Sequence, residues 1–321
     1  MLKVVPDYYK DFHCIAGACR HSCCIGWEID IDPEMADYYR NLPGELGERL
    51  RRCIAWEETP HFILSEGERC PFLNGENLCD IILELGEKHI CGICTDHPRF
   101  RNELPGRLEI GLGLCCEEAA RLIIGRQAPM VLEIQGEGEI EDELVELRDQ
   151  VIAMLQERNE TIRQRLDGVL ALCGASLPDW TLGEWAEKLM ELERLTQEWT
   201  VLLTKLRDGW NSADFSGFDR YMESRQTEYE QFLVYLIYRH MANGFDRWEA
   251  AARVCFAAFG YLLLRGMGAV LWSESGQFSP EQQLDLVRLF SSELEYSQEN
   301  LDAILETLYD EMQENCFGEN I

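Results

Sequence analysis

Residues 14–24 read CIAGACRHSCC, a run with four cysteines of which the last two are adjacent. Working outward, sulfur continues at Cys70 in CPFLN, Cys79 in LCDI, the pair Cys91 and Cys94 in CGIC, and the doublet Cys115 and Cys116. Of the 14 cysteines, only Cys173, Cys255 and Cys316 lie beyond that doublet, and these read as small apolar packing residues. Cys53, in RRCIAW, falls inside a predicted helix with no partner nearby and is set aside. A thiolate ligand set needs sulfur brought round one centre from different directions, and the short loops between Cys14, Cys19 and Cys23 do this without strain. The spacing alone leaves the metal open, because four thiolates suit tetrahedral zinc and an iron–sulfur cluster equally. It also leaves the number of centres open. Cys23 and Cys24 would face opposite sides of an extended segment and serve two centres, whereas in a tight turn both could approach one. A redox pair at Cys91 and Cys94 fits less well, since the βαβ setting of such pairs is missing.

Composition narrows the function. With 321 residues the chain can bury a core without cross-links, and 46% hydrophobic residues suit a globular protein. Its net charge of -30 repels phosphate backbones and anionic lipid, so neither nucleic acid nor a membrane is an expected partner, while a basic protein is. The start, MLKVVPDYYKDF, has no apolar run of the kind an export signal needs, so the thiols are expected to meet a reducing cytoplasm. The most membrane-like stretch, VCFAAFGYLLLRGMGAVLW at 254–272, carries Arg265 and three glycines and reads as a buried helix.

The texture of the chain changes once. Up to about residue 128 it consists of short segments. WEIDID at 27–32 alternates like a brief strand, Pro33 opens a helix through Arg52, a turn at Asn74-Gly75 separates two β-like runs, RLEIGLGLCC is extended, and EEAARLII at 117–124 begins a helix with acids in its first turn. From 139 onward apolar residues recur at helical spacing, as at Phe232, Tyr235 and Leu236, which predicts helices near 139–172, 182–208, 219–242, 246–272, 280–296 and 298–314. The expected fold is therefore mainly α: a small cysteine-rich domain with a few short strands over 1–128, then an all-α helical bundle over 139–321, with the Gly- and Pro-containing stretch 125–138 as linker. Within that linker VLEIQGEGE resembles the first motif of a Rossmann-type methyltransferase. However, Gln135 stands in place of the first glycine and no alternating strands and helices follow.

FHCIAGACRHSCCIGWEIDID, ERCPFLNGENLCDI, CGICTDHPRF and CCEEAARLI together resemble the flagellin lysine-N-methylase (FliB-type) family, within the wider cysteine-cluster proteins described as zinc- or iron-chelating. The resemblance runs in order through the first 125 residues. It implies a protein-lysine N-methyltransferase that uses S-adenosylmethionine and takes flagellin, or another lysine-bearing protein, as substrate, with a cysteine-ligated 4Fe-4S cluster taking part. By position it implies Cys14, Cys19, Cys23, Cys24, Cys70, Cys79, Cys91, Cys94 and Cys116 as metal ligands. Cys115 stands where the family often has serine and is held in reserve, His97 where it commonly has tyrosine, and Glu117 where it often has proline.

A lysine amine is a nucleophile only when neutral, so something must accept its proton. Asp30, Asp32, Asp80 and Asp96 lie beside the cysteine motifs, although a solvated charge or a helix cap suits each of them too. Tyr8 and Trp27 offer rings to a cation or pack in the core. Arg99, in HPRF, is the first non-cysteine candidate, for a cofactor carboxylate or for the charge of a thiolate cluster. No catalytic residue is singled out. The rival reading is a zinc- or iron-binding structural module whose acidic bundle docks a basic protein.

Overall fold

The computed structural model describes residues 1–137 and 142–318. It is mainly helical, and its contacts divide the chain into two units. One comprises residues 13–100 and 116–118. The other comprises 1–12, 101–115 and 119–321. This is not the expected division into 1–128 and 139–321. The reason is strand pairing: β1 (Leu2–Pro6) lies parallel to β5 (Arg107–Leu112), with Leu2 opposite Arg107 and Val4 opposite Glu109. The first residues are thereby tied to chain about a hundred positions later, and the cysteine-rich segment is an insertion between them. The sheet is completed by β4 (Arg99–Leu104) and β6 (Leu132–Gln135), in the order β4-β5-β1-β6. The presumed linker thus contributes β6, antiparallel to β1 with Val4 opposite Ile134. Its alternating apolar residues suit an edge strand. The start of the first predicted helix, 139–141, lies outside the described residues.

The helices of this larger unit follow the expected blocks, several of them divided. The block at 139–172 is α6 (Glu143–Leu155) and α7 (Ile162–Cys173), separated where Thr161 and Gln164 form a capping box that starts a new helix. The block at 182–208 is α8 (Leu182–Glu191) and α9 (Gln197–Gly209), because Thr196 caps Trp199 N–H at 3.1 Å and its hydroxyl donates to Glu293 at 2.5 Å. Next come α10 (Phe215–Tyr221) and α11 (Gln226–His240), with α12 (Arg247–Ser275) close to its predicted bounds. α13 (Pro280–Phe290) continues into a π-helical turn at Ser291–Glu295, and α14 (Gln298–Gly318) ends the described chain.

α11 and α12 are buried on nearly all sides, as central helices must be to stay apolar all round. α12 is long and apolar enough to cross a membrane, but 83% of its most apolar window is buried in this unit, so its composition is that of a core helix. Where α12 passes α11 and α13, a Cβ on Gly260 would lie 2.9 Å from Phe290 and 3.1 Å from Phe232. Three buried carboxylates are paired inside the unit. Glu109 meets Arg148 at 2.6 Å, Glu230 meets Arg158 and Arg165 at 2.7 and 2.8 Å, and Glu295 meets His240 at 2.7 Å.

The smaller unit has little regular structure. It holds α1 (Pro33–Asn41), α2 (Gly44–Cys53), α3 (Asp80–Leu85), α4 (Gly92–Asp96), the start of α5 (Glu117–Ile124), and a two-residue pairing of β2 (Ile54–Ala55) with β3 (His61–Phe62). Pro33 is the first residue of α1 as predicted, but the helix stops before Pro43 and restarts. WEIDID is extended without forming a strand. Its links are a single bridge from Asp30 to His61 and backbone bonds from Ile31 N–H to Pro60 and from Phe62 N–H to Ile29.

Candidate metal centre

Each cysteine of the smaller unit is set by local backbone chemistry. Between Cys14 and Cys19 the chain makes one 3-10 turn, with Ala16 at φ 46° and its N–H 3.4 Å from Cys14 Sγ. Gly17 is required there, because a Cβ would come within 2.7 Å of the Glu76 carbonyl. Cys23 and Cys24 are the central residues of a turn closed by Ile25 N–H to Ser22 at 3.1 Å. The Cys24 carbonyl accepts from Cys70 N–H at 2.8 Å, which fixes the first cysteine run to the second. Asn74 builds the next turn, its Oδ1 accepting from Glu76 and Leu78 N–H at 2.9 and 3.0 Å, and so delivers Cys79 opposite Leu73. Cys79 and Cys91 occupy the N-cap positions of α3 and α4. Backbone N–H groups there favour thiolate, although burial outweighs them at Cys79 and leaves its pKa raised.

The nine predicted ligands fall into two sets. Cys70 and Cys91 are buried in one apolar cluster with Tyr39, Phe62 and Phe72, and Cys24, Cys79 and Cys94 pack against it, with Cys91 and Cys94 Sγ 3.3 Å apart. The neighbouring thiols that raise the Cys70 pKa, to about 12 and mainly through burial, are Cys24, Cys79 and Cys91. In the Cys91–Cys94 pair, Cys91 is lowered and Cys94 raised, first by the hydrogen bond the two sulfurs share. Cys14, Cys19, Cys23 and Cys116 form the other set, with Cys14 and Cys23 exposed. Cys19 is raised to about 11, first by burial and then by Glu117 and Cys116 among others. Cys23 is raised by donating its proton to Cys24 and by the nearby Cys14 and Cys116. Cys24 is lowered to about 7, first by that hydrogen bond. The adjacent cysteines therefore touch each other in a turn while their remaining sulfur neighbours differ.

Glu117 is a site residue that appeared in the sequence as a first-turn acid and as a departure from the proline frequent in the family. It accepts from Arg20 N–H and Nε at 2.8 Å, from His21 N–H at 3.2 Å, and from Cys19 Sγ at 3.7 Å. It thus clips the Cys19 loop beside Cys116. A carboxylate spaced almost a hundred residues from its partners leaves no local signal. A second group without such a signal is Glu28, Asp30 and His61, brought within 4.8 Å of one another by the Asp30–His61 bridge.

The other candidates are scattered. Asp32 caps α1 through Met35 N–H at 3.0 Å and accepts from Gly92 N–H at 2.7 Å, and Asp80 pairs with Arg49 at 2.6 Å, so both hold the scaffold. Arg99 donates to the Thr95 carbonyl at 3.2 Å. His97 is held down to about pH 4 by burial and by the Arg99 charge, which keeps its ring neutral. Tyr8 is buried in the larger unit with the Arg126 guanidinium over its ring at 5.3 Å. Cys115 is also buried in that unit, bonded to the Tyr296 hydroxyl. Cys53 packs beside the apolar cluster.

The cysteines described are free thiols, many of them clustered and partly desolvated, and a shared soft cation suits such a set better than protons do. A family model described as the FliB lysine N-methylase C-terminal domain matches residues 112–316, well over half of the chain. The chain belongs to the FliB lysine N-methylase family. It is 28% identical over 141 residues to proteins named lysine-N-methylase from Salmonella choleraesuis and Salmonella typhimurium, an alignment covering 40% of this chain and 33% of each relative. It is also 26% identical over 136 residues to the flagellar biosynthetic protein FliU of Salmonella muenchen, covering 40% of this chain and 79% of that one. The chain thus matches about a third of the length of the two lysine-N-methylases. No solved structure matches it. The FliB match begins at Leu112, so among the nine candidate ligands it takes in Cys116 alone. The family is shown by the helical part, where reading the residues found least that was specific.

Proposed function

We propose that the protein is a cytoplasmic lysine N-methyltransferase acting on flagellin or another lysine-bearing protein, with S-adenosylmethionine as donor and an iron–sulfur cluster held by the cysteine-rich unit. The observation that carries this is the gathering of all nine candidate ligands, among ten free thiols, in one unit of a chain that belongs to the FliB lysine N-methylase family. When bound, S-adenosylmethionine supplies an electrophilic methyl group and the cluster supplies electron-transfer chemistry.

The chain's own residues supply ligands, fields and proton acceptors. Cys24 and Cys91 have lowered pKa values and form thiolates readily, each sharing a hydrogen bond with a neighbouring sulfur, Cys23 and Cys94 respectively. The choice of iron–sulfur over zinc follows the family resemblance carried by the cysteine motifs, since four thiolates by themselves suit either. The substrate amine, with an ordinary pKa of about 10.4, must lose a proton before it can attack. The net charge of -30 favours encounter with a lysine-bearing partner.

The test is anaerobic reconstitution with iron and sulfide, followed by labelled S-adenosylmethionine and unmodified flagellin. Label on lysine and a paramagnetic signal after reduction are the expected results. A colourless protein that binds zinc, takes up no iron and labels nothing overturns the reading.

A further inference from the structure

We infer that the cysteine-rich unit holds two metal centres that meet at the Cys23–Cys24 peptide: an enclosed one on Cys24, Cys70, Cys79, Cys91 and Cys94, and a solvent-facing one on Cys14, Cys19, Cys23 and Cys116. This rests on the proposal that these thiols bind metal and goes beyond it in number, location and division of labour.

Packing separates the sets. Cys24, Cys70, Cys79, Cys91 and Cys94 all contact one apolar cluster, in which the Phe62 and Phe72 rings meet at a tilt, 5.2 Å between centroids, and the Tyr39 hydroxyl donates to the His89 carbonyl at 2.6 Å. None of the other four belongs to that cluster. Cys14 and Cys19 flank one 3-10 turn, and the Glu117 clip ties the Cys19 loop to the residue after Cys116. The turn at 22–25 links the sets, since it places Cys23 on the exposed side and ties Cys24 to Cys70 through the backbone. The charges agree with the packing. The thiols that act on Cys23 are Cys24, Cys14 and Cys116, whereas those on Cys94 are Cys91, Cys24 and Cys70.

Chemistry then assigns roles. A centre whose ligands are walled by aromatic side chains is closed, in the manner of structural metal sites. Five sulfurs there meet the need for four, which leaves one to complete the shell or remain a thiol. A centre with exposed ligands can admit a further group, so the outer set is the one that meets substrate or cofactor. Glu117 is a positioning residue for it, acting through Cys19 and the 20–21 backbone.

The experiment uses the full chain, reconstituted anaerobically with ferrous iron and sulfide in one arm and loaded with Zn2+ alone in the other. The double variant Cys14→Ser, Cys116→Ser should bind half the metal of the wild type while keeping its far-UV circular dichroism. Cys70→Ser, Cys91→Ser should lose the other half. If that variant does not fold, the outer pair alone decides. Glu117→Gln should speed chelator extraction of one half by about 10- to 100-fold and leave the other half unchanged. Metal content that vanishes completely, or does not change, in the outer variant overturns the two-centre arrangement while leaving a single cluster standing. A wild-type chain that binds no metal in either arm overturns both this inference and the cluster on which it rests.

Discussion

The two units of this protein reach a defined structure by opposite means. The larger one has long helices, a four-stranded sheet, and a core in which Trp199, Tyr235, Phe256 and Phe259 are almost fully enclosed. Its buried charges are neutralised by partners from the same unit. The smaller unit has two-residue strands and no helix longer than ten residues. Its apolar cluster is built partly from cysteines, with Cys70 and Cys91 among its buried members. It invests instead in sulfur. One unit is specified by shape; the other, on the function proposed above, is specified by coordination.

That contrast can be broken in order of expected effect. Stripping metal with a chelator should remove on the order of 10 kcal/mol from the cysteine-rich unit. Limited proteolysis should then cut within residues 13–100 while the helical unit survives; cleavage spread evenly over both units would erase the distinction. Glu230→Leu leaves the buried Arg165 without its carboxylate and should cost about 3–5 kcal/mol in denaturant unfolding, with metal content unchanged.

His97 sharpens the comparison through pH. Its folded pKa of about 4 lies below the ordinary value of about 6.5, so between these values the unfolded chain binds more protons. Its stability contribution is therefore complete above about pH 6.5 and declines as pH falls towards 4. Replacing it with asparagine should flatten that part of the acid-unfolding profile. The smallest effect is expected for Thr161→Ala, which removes a capping box from α7 and should cost about 1 kcal/mol by thermal unfolding.

Legibility followed the same division. The helical blocks could be read because apolar spacing is local, and α5 and α12 fall close to their predicted bounds. Their divisions were harder to see, since the stop between α8 and α9 depends on Thr196 meeting Glu293 from a distant turn. The parallel pairing of β1 with β5 has no local signature at all, which is why the insertion was read as a terminal domain. In the site, cysteine positions were visible as residues, while their sorting into two sets needed the turn at 22–25 and the cluster around Phe72. Glu117 shows the same limit, because its partners lie at 19–21.

The insertion between β1 and β5 also bears on the order of assembly. Pairing two strands so far apart means closing a long loop, and the entropy of closure weighs against it until that loop is already compact. If the cysteine-rich segment binds metal as proposed, capture by the nascent chain would shorten the effective tether before the later helices have been synthesised. On that proposal, supply of metal during translation would set how quickly the first strand finds its neighbour, and a cell starved of iron or sulfide should accumulate chains whose amino-terminal strand is still searching.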